Sequence, residues 1–180
     1  TVDAITKMAE FGDVVVEKTQ GHWMTTGDPK NYLFALLEYT FRTESFGDEL
    51  KEFVKQYLTE KGIPFKDYGT NSDVSCDYPD FGHALAQGME KGEVYPGIGI
   101  CGSGEGIAMT LNKHQNIMAG LAWIPEIAHL IRQHNDANVL VMPGRFINHE
   151  MARKIMDEFL LTNFEGGRHQ RRVEKIAIHE

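Results

Sequence analysis

Cys101 closes a short apolar run, Gly97-Ile98-Gly99-Ile100, and is followed by Gly102-Ser103-Gly104-Glu105-Gly106 before an apolar helical pattern starts at Ile107. A strand, a tight glycine loop and a helix in that order expose backbone N–H groups at the positive end of a helix. Such a junction can hold a phosphate, a carboxylate or an oxyanion formed during a reaction. The same field favours a thiolate over a thiol, which makes Cys101 a candidate base or nucleophile. Glycine loops also close βα units that bind nothing, and a lone cysteine also serves as a small buried hydrophobe. The loop by itself leaves both readings open.

Two further polar clusters stand downstream. His134-Asn135-Asp136-Ala137-Asn138 lies where a helix runs out before a strand. A histidine there can move a proton near neutral pH, and the asparagines offer donors and acceptors, although such residues also simply cap and turn a chain. Arg168, His169, Arg171 and Arg172 follow a Gly166-Gly167 hinge. Arginines at i and i+4, as at 168 and 172, project from one helix face and can fork a phosphate; a solvated basic tail is the rival reading. Arg145, after Pro143-Gly144 at a strand end, adds a further phosphate contact. A thiol base beside an anion hole, a histidine for proton transfer to oxygen and arginines for a phosphate suffice to shift a proton between adjacent carbons of a sugar phosphate through an enediolate. That chemistry requires no metal and no redox cofactor.

Composition narrows the partners. The 180 residues suit one domain with a sizeable core, and the net charge of -8 argues against a nucleic-acid surface. The two cysteines, Cys76 and Cys101, fall into no zinc-type spacing and read as reduced thiols of a cytoplasmic protein. No apolar stretch approaches the ~20 residues that span a bilayer, and Thr1–Glu10 lacks the features of a signal peptide.

The elements that must position these groups follow from periodicity. An amphipathic helix is expected over about Gly47–Lys61, with Leu50, Phe53, Val54, Tyr57 and Leu58 toward a core, and a strand over Ile63–Tyr68. Asp77-Tyr78-Pro79-Asp80 breaks regular structure before a helix over Phe81–Lys91. Ile117–Trp123 reads as a strand, Ile124–His134 as a helix started by Pro125, Asn138–Met142 as a strand, and Asn148 as the cap of a helix reaching Leu161. Alternating helices and buried strands predict an α/β fold, a three-layer Rossmann-like parallel sheet with helices on both faces and ligands at the carboxyl ends of the strands. Residues 1–43 are the least readable; Val14–Glu17 and Leu33–Tyr39 are candidate first strands for the domain over 44–180.

Asp77-Tyr78-Pro79-Asp80, Gly99-Ile100-Cys101-Gly102-Ser103-Gly104, Asn112-Lys113, His134-Asn135-Asp136-Ala137-Asn138-Val139-Leu140, Gly144-Arg145 and Glu165-Gly166-Gly167-Arg168-His169-Gln170-Arg171-Arg172 resemble, in order and spacing, the type B ribose-5-phosphate isomerases and the related galactose-6-phosphate isomerase subunits. The resemblance implies a homodimer, sometimes paired into a tetramer, with active sites shared between subunits. It implies Cys101 as the base that moves a proton between C1 and C2, Ser103 as its helper, and Gly102, Gly104 and Gly106 in the loop that holds the enediolate. It further implies His134 as the ring-opening group with Asn135 beside it, Arg145, Arg168 and Arg172 as phosphate ligands, and Asp77, Tyr78 and His169 among the substrate-binding positions.

Three departures accompany it. The Asp-His pair that ends the family's first strand is missing, with Glu44 and Ser45 at the nearest positions and His22 a candidate replacement. Glu105 stands in the anion loop where a neutral residue is expected, and Met118 where an arginine is common. The expected activity is an aldose-ketose isomerase, ribose 5-phosphate to ribulose 5-phosphate; a six-carbon sugar phosphate and a non-catalytic sugar-phosphate-binding scaffold are the alternatives.

Overall fold

Val139-Leu140-Val141-Met142-Pro143 is an unbroken apolar run, as a strand covered on both faces requires. In a computed structural model of the chain it forms β3 (Val139–Pro143), the middle strand of a three-stranded parallel sheet. β1 (Gly97–Cys101) lies on one side and β2 (Ala119–Leu121) on the other, in register Gly97 with Val139, Cys101 with Pro143 and Leu121 with Val141. The structure describes residues 46–72 and 74–176. The helices are α1 (Phe46–Glu60), α2 (Tyr78–Glu90), α3 (Glu105–Leu111), α4 (Pro125–Asn135), α5 (His149–Leu161) and α6 (Arg168–Val173).

Successive side chains of a strand point to opposite faces, so β3 feeds two cores at once. Leu140 and Met142 pack with Leu50, Val54 and Tyr57 of α1, Ala128 of α4, and Ile155 and Phe159 of α5. Val139 and Val141 pack on the other face with Ala86 of α2 and Ile107 and Leu111 of α3. All four central β3 side chains are fully buried. The result is the expected three-layer α/β arrangement.

Local chemistry sets the helix ends. Pro125 opens α4 from the extended Ile124, and the Asn148 side chain accepts a hydrogen bond of 2.8 Å from the Met151 N–H at the start of α5. The Tyr57 hydroxyl donates to Asp157 Oδ1 at 2.6 Å, fastening α1 to α5; burial, reinforced by the Asp157 carboxylate, pushes this phenol well above its ordinary value.

Three expectations need correction. Ile63–Tyr68 is not a strand: among the described residues it has no ladder partner, and Ile63 and Phe65 stay 36% and 45% exposed. An apolar pattern cannot make a strand without a neighbour for its backbone groups. Asp77-Tyr78-Pro79-Asp80 does not precede α2 but starts it, because proline in a first helical turn gives up an N–H that has no partner in any case. The strand expected over Ile117–Trp123 shortens to β2, while Ile117 is buried outside it. The readings placed on residues 1–43, including His22, and on Glu44 and Ser45 lie outside the described residues.

Two substitutions weigh these contributions. Leu140→Ala should lower the unfolding free energy by about 2–5 kcal/mol, and Asn148→Ala, which removes one cap, by about 1 kcal/mol. Urea denaturation of the two variants beside the parent measures both.

Candidate active site

The carboxyl ends of β1 and β3 carry the first group. Cys101, a half-buried free thiol, is the last residue of β1. Its carbonyl accepts the Gly144 N–H at 2.9 Å, and the Gly102 carbonyl accepts the Arg145 N–H at 3.1 Å. The turn after β3 is thereby pinned to the glycine loop after β1. The Arg145 side chain lies directly against Gly102, where a Cβ would stand 3.2 Å from Nε. A side chain at this position would make the guanidinium give way by a few tenths of an ångström.

Gly104 adopts φ +80°, a left-handed conformation that glycine takes at little cost, and a side chain there would strike Leu121. Gly106 lies under the Tyr78 ring, whose Cζ would be 2.5 Å from a Cβ at that position. Asp77 is the extended residue before α2 and places Tyr78 over the loop. Ser103 is exposed and its Oγ accepts the Glu105 N–H at 3.3 Å. Glu105, the unexpected carboxylate, is exposed in the first turn of α3, where the helix field suits a negative charge.

The second group gathers where α4 ends. The His134 and His169 rings stack in parallel, with centroids 4.1 Å apart and planes 1° apart. Glu165 Oε2 is 3.8 Å from His134 Nε2 and 4.0 Å from His169 Nε2. The Glu165 N–H donates to the Gln133 carbonyl at 2.9 Å, which holds this segment against the end of α4. Gly166 and Gly167, at φ +69° and +56°, then turn the chain so that α6 brings His169 back onto His134. Arg168 Nε donates to His169 Nε2 at 3.3 Å. Burial, followed by the nearby His134 and Arg168, pushes the His169 pKa below its ordinary 6.5. Arg168 and Arg172, one helical turn apart on α6, are both exposed, as is Asn135.

Within one chain these groups lie at opposite ends of the sheet. Helix α4 leaves the carboxyl end of β2 and returns to the amino end of β3, so His134 sits at the amino ends of the strands. Asn138, four residues on, accepts the Gly97 N–H through its carbonyl at 2.9 Å, whereas Cys101 pairs with Pro143 at the far end. Four residues of strand separate the two levels by roughly 13 Å. The structure therefore brings Cys101, Ser103, Gly102, Gly104, Gly106, Asp77, Tyr78 and Arg145 together. It brings His134, Asn135, Arg168, His169 and Arg172 together elsewhere.

Two asparagines of the motifs are structural braces. Asn138 Oδ1 accepts the Met118 N–H at 2.8 Å while its Nδ2 donates to the Asn116 carbonyl at 2.8 Å. Asn112 brackets Ala119 through both its N–H and its carbonyl. Glu165 went unassigned in the sequence, although its i,i+4 spacing to His169 across two glycines was the available signal.

Comparison with known proteins bears on this geometry. The family model described as Ribose/Galactose Isomerase matches residues 41–176. The chain belongs to the ribose/galactose isomerase family. A probable ribose-5-phosphate isomerase B of Mycoplasma pneumoniae is 45% identical over 135 residues, covering 74% of this chain and 89% of that protein. Ribose-5-phosphate isomerase B of Escherichia coli is 41% identical over 140 residues, 78% and 94% of the two chains. Among solved structures, the Thermotoga maritima ribose 5-phosphate isomerase superposes with a TM-score of 0.72 at 46% identity over 74% of this chain and 92% of that one. The Mycoplasma genitalium ribose-5-phosphate isomerase B with bound ribulose-5-phosphate does so with 0.69 at 41% identity, over 74% and 89%. For this isomerase family member the Rossmann-like fold inferred from alternating elements stands. Among the described residues no helix is long and apolar enough to cross a membrane.

The contact between Gly106 and Tyr78 can be tested separately from the fold. Gly106→Ala should push the half-exposed Tyr78 ring aside, leaving the melting temperature nearly unchanged while kcat/KM falls; a thermal scan and steady-state kinetics on one preparation separate the two effects.

Proposed function

We propose that this chain interconverts ribose 5-phosphate and ribulose 5-phosphate in a site assembled from two copies of itself. The observation that carries this reading is the half-buried Cys101 at the carboxyl end of β1, opening onto a glycine loop with Arg145 laid against it. The distance between that loop and the His134 cluster calls for the second copy. One chain supplies Cys101, Ser103, the loop, Tyr78 and Arg145, and the other supplies His134, Asn135, Arg168 and Arg172.

The chemistry follows from these groups. His134 moves a proton from the anomeric hydroxyl to the ring oxygen as the C1–O bond breaks, which frees the aldehyde. The Cys101 thiolate then removes the C2 proton, and the electron pair forms the enediolate with its negative charge on O1. Backbone N–H groups of Gly102–Gly106 stabilise that charge where it develops. The thiol returns the proton to C1, while the Ser103 hydroxyl relays the O2 proton to O1, completing the ketose. Arg168 and Arg172 hold the phosphate at the other end of the sugar, with Arg145 adding charge from the loop side. Proton transfers among fixed groups account for the whole sequence.

The family's name spans ribose and galactose isomerases, so the substrate is decided by competition: the ratio of kcat/KM values for the five- and six-carbon phosphates should favour ribose 5-phosphate. Cys101→Ala and His134→Ala should each abolish turnover alone. Mixed in equal amounts and allowed to exchange subunits, they should recover about a quarter of wild-type activity, because half the dimers are mixed and each has one intact site of two. Turnover that survives in Cys101→Ala would remove the thiol from the mechanism, and a mixture that stays inactive after proven exchange would place both groups in one chain.

A further inference from the structure

We propose that His134, Glu165 and His169 form a binding site for a divalent transition-metal ion, Zn²⁺ in particular, that withdraws His134 from catalysis. Nitrogen, nitrogen and carboxylate oxygen all lie within 4.8 Å of one another. Zn²⁺ bonds of about 2.0–2.2 Å place two ligand atoms of one ion roughly 3.4 Å apart. The observed 3.8 and 4.0 Å from Glu165 Oε2 to the two imidazoles are thus within half an ångström or so of that spacing.

The adjustment falls on groups that can make it. The Glu165 side chain is half-exposed, so its carboxylate can advance. The parallel rings must tilt for their lone pairs to converge, and Arg168, exposed on α6, must swing away from His169 Nε2. That Arg168 Nε donates to this nitrogen means that the nitrogen carries the lone pair a metal needs. Two imidazoles with one carboxylate suit Zn²⁺, Co²⁺ or Ni²⁺ over Mg²⁺ or Ca²⁺, which prefer oxygen donors. The framework is fixed on both sides, by the bond from Glu165 to Gln133 and by the double-glycine turn that returns His169 to α4. A third of the His134 side chain remains open, leaving room for water on the ion.

A metal bound here takes up a lone pair of the His134 imidazole that would shuttle the ring-opening proton, so the ion is an inhibitor and not a cofactor. That consequence rests on the isomerase reading; capture of the ion does not. The test is titration of the full chain with Co²⁺, read by its visible absorption, and with Zn²⁺, read by calorimetry. One ion per chain is expected in the wild type and also in Cys76→Ser and Cys101→Ser. The half-exposed Glu165→Gln should weaken binding at least about tenfold without unfolding the chain, and His169→Asn should do the same. Zn²⁺ should slow isomerisation and EDTA should restore it. Binding with this ligand dependence supports the site even in a preparation that shows no turnover. Absence of saturable binding, or binding indifferent to Glu165→Gln and lost with a cysteine, overturns it.

Discussion

Parallel pairing of β1, β3 and β2 is the constraint on which the rest depends. Each helix joining parallel strands must begin at their carboxyl ends and finish at their amino ends. A residue at the end of β1 and a residue at the end of α4 are therefore kept a strand's length apart, however well the chain packs. Cys101 and His134 fall on those two positions. In the proposed mechanism, with Cys101 as carbon base and His134 as ring-opening group, that separation is what calls for a second copy of the chain.

The apolar run of β3 holds the constraint in place. Its side chains alternate between two cores, so a one-residue slip would exchange Leu140 and Met142 for Val139 and Val141 on each face. Register is fixed by packing, and packing in turn fixes the height of Cys101 opposite Pro143. Close approaches at glycine then do the finer positioning: Arg145 against Gly102, Leu121 against Gly104 and Tyr78 against Gly106. In each case the loop has room for a neighbour because it carries no side chain of its own.

Much of this was legible in the residues, for identifiable reasons. The amphipathic spacing of Leu50, Val54 and Tyr57, the Asn148 cap and the buried β3 run are local signals, and each corresponds to an element of the structure. Ile63–Tyr68 misled because strand formation depends on a partner elsewhere in the chain, which periodicity does not report. Asp77-Tyr78-Pro79-Asp80 misled because proline reads as a breaker within a helix and as a starter at its beginning. The division of the candidate residues between two ends of the sheet was legible in part: Cys101 closes a strand and His134 ends a helix before one, and a parallel sheet sets those two positions at opposite ends. Glu165 was missed because its approach to His134 arises from a turn at Gly166 and Gly167 whose direction is a matter of backbone angles.

The central claim is that one chain does not hold a complete site, and its most direct test is specific activity measured across a dilution series beside sedimentation of the same samples. The account predicts activity per chain that falls in step with the dimer fraction and vanishes for the monomer. Monomers that turn over ribose 5-phosphate at the full rate would contradict it, since Cys101 and His134 would then have to meet within a single sheet.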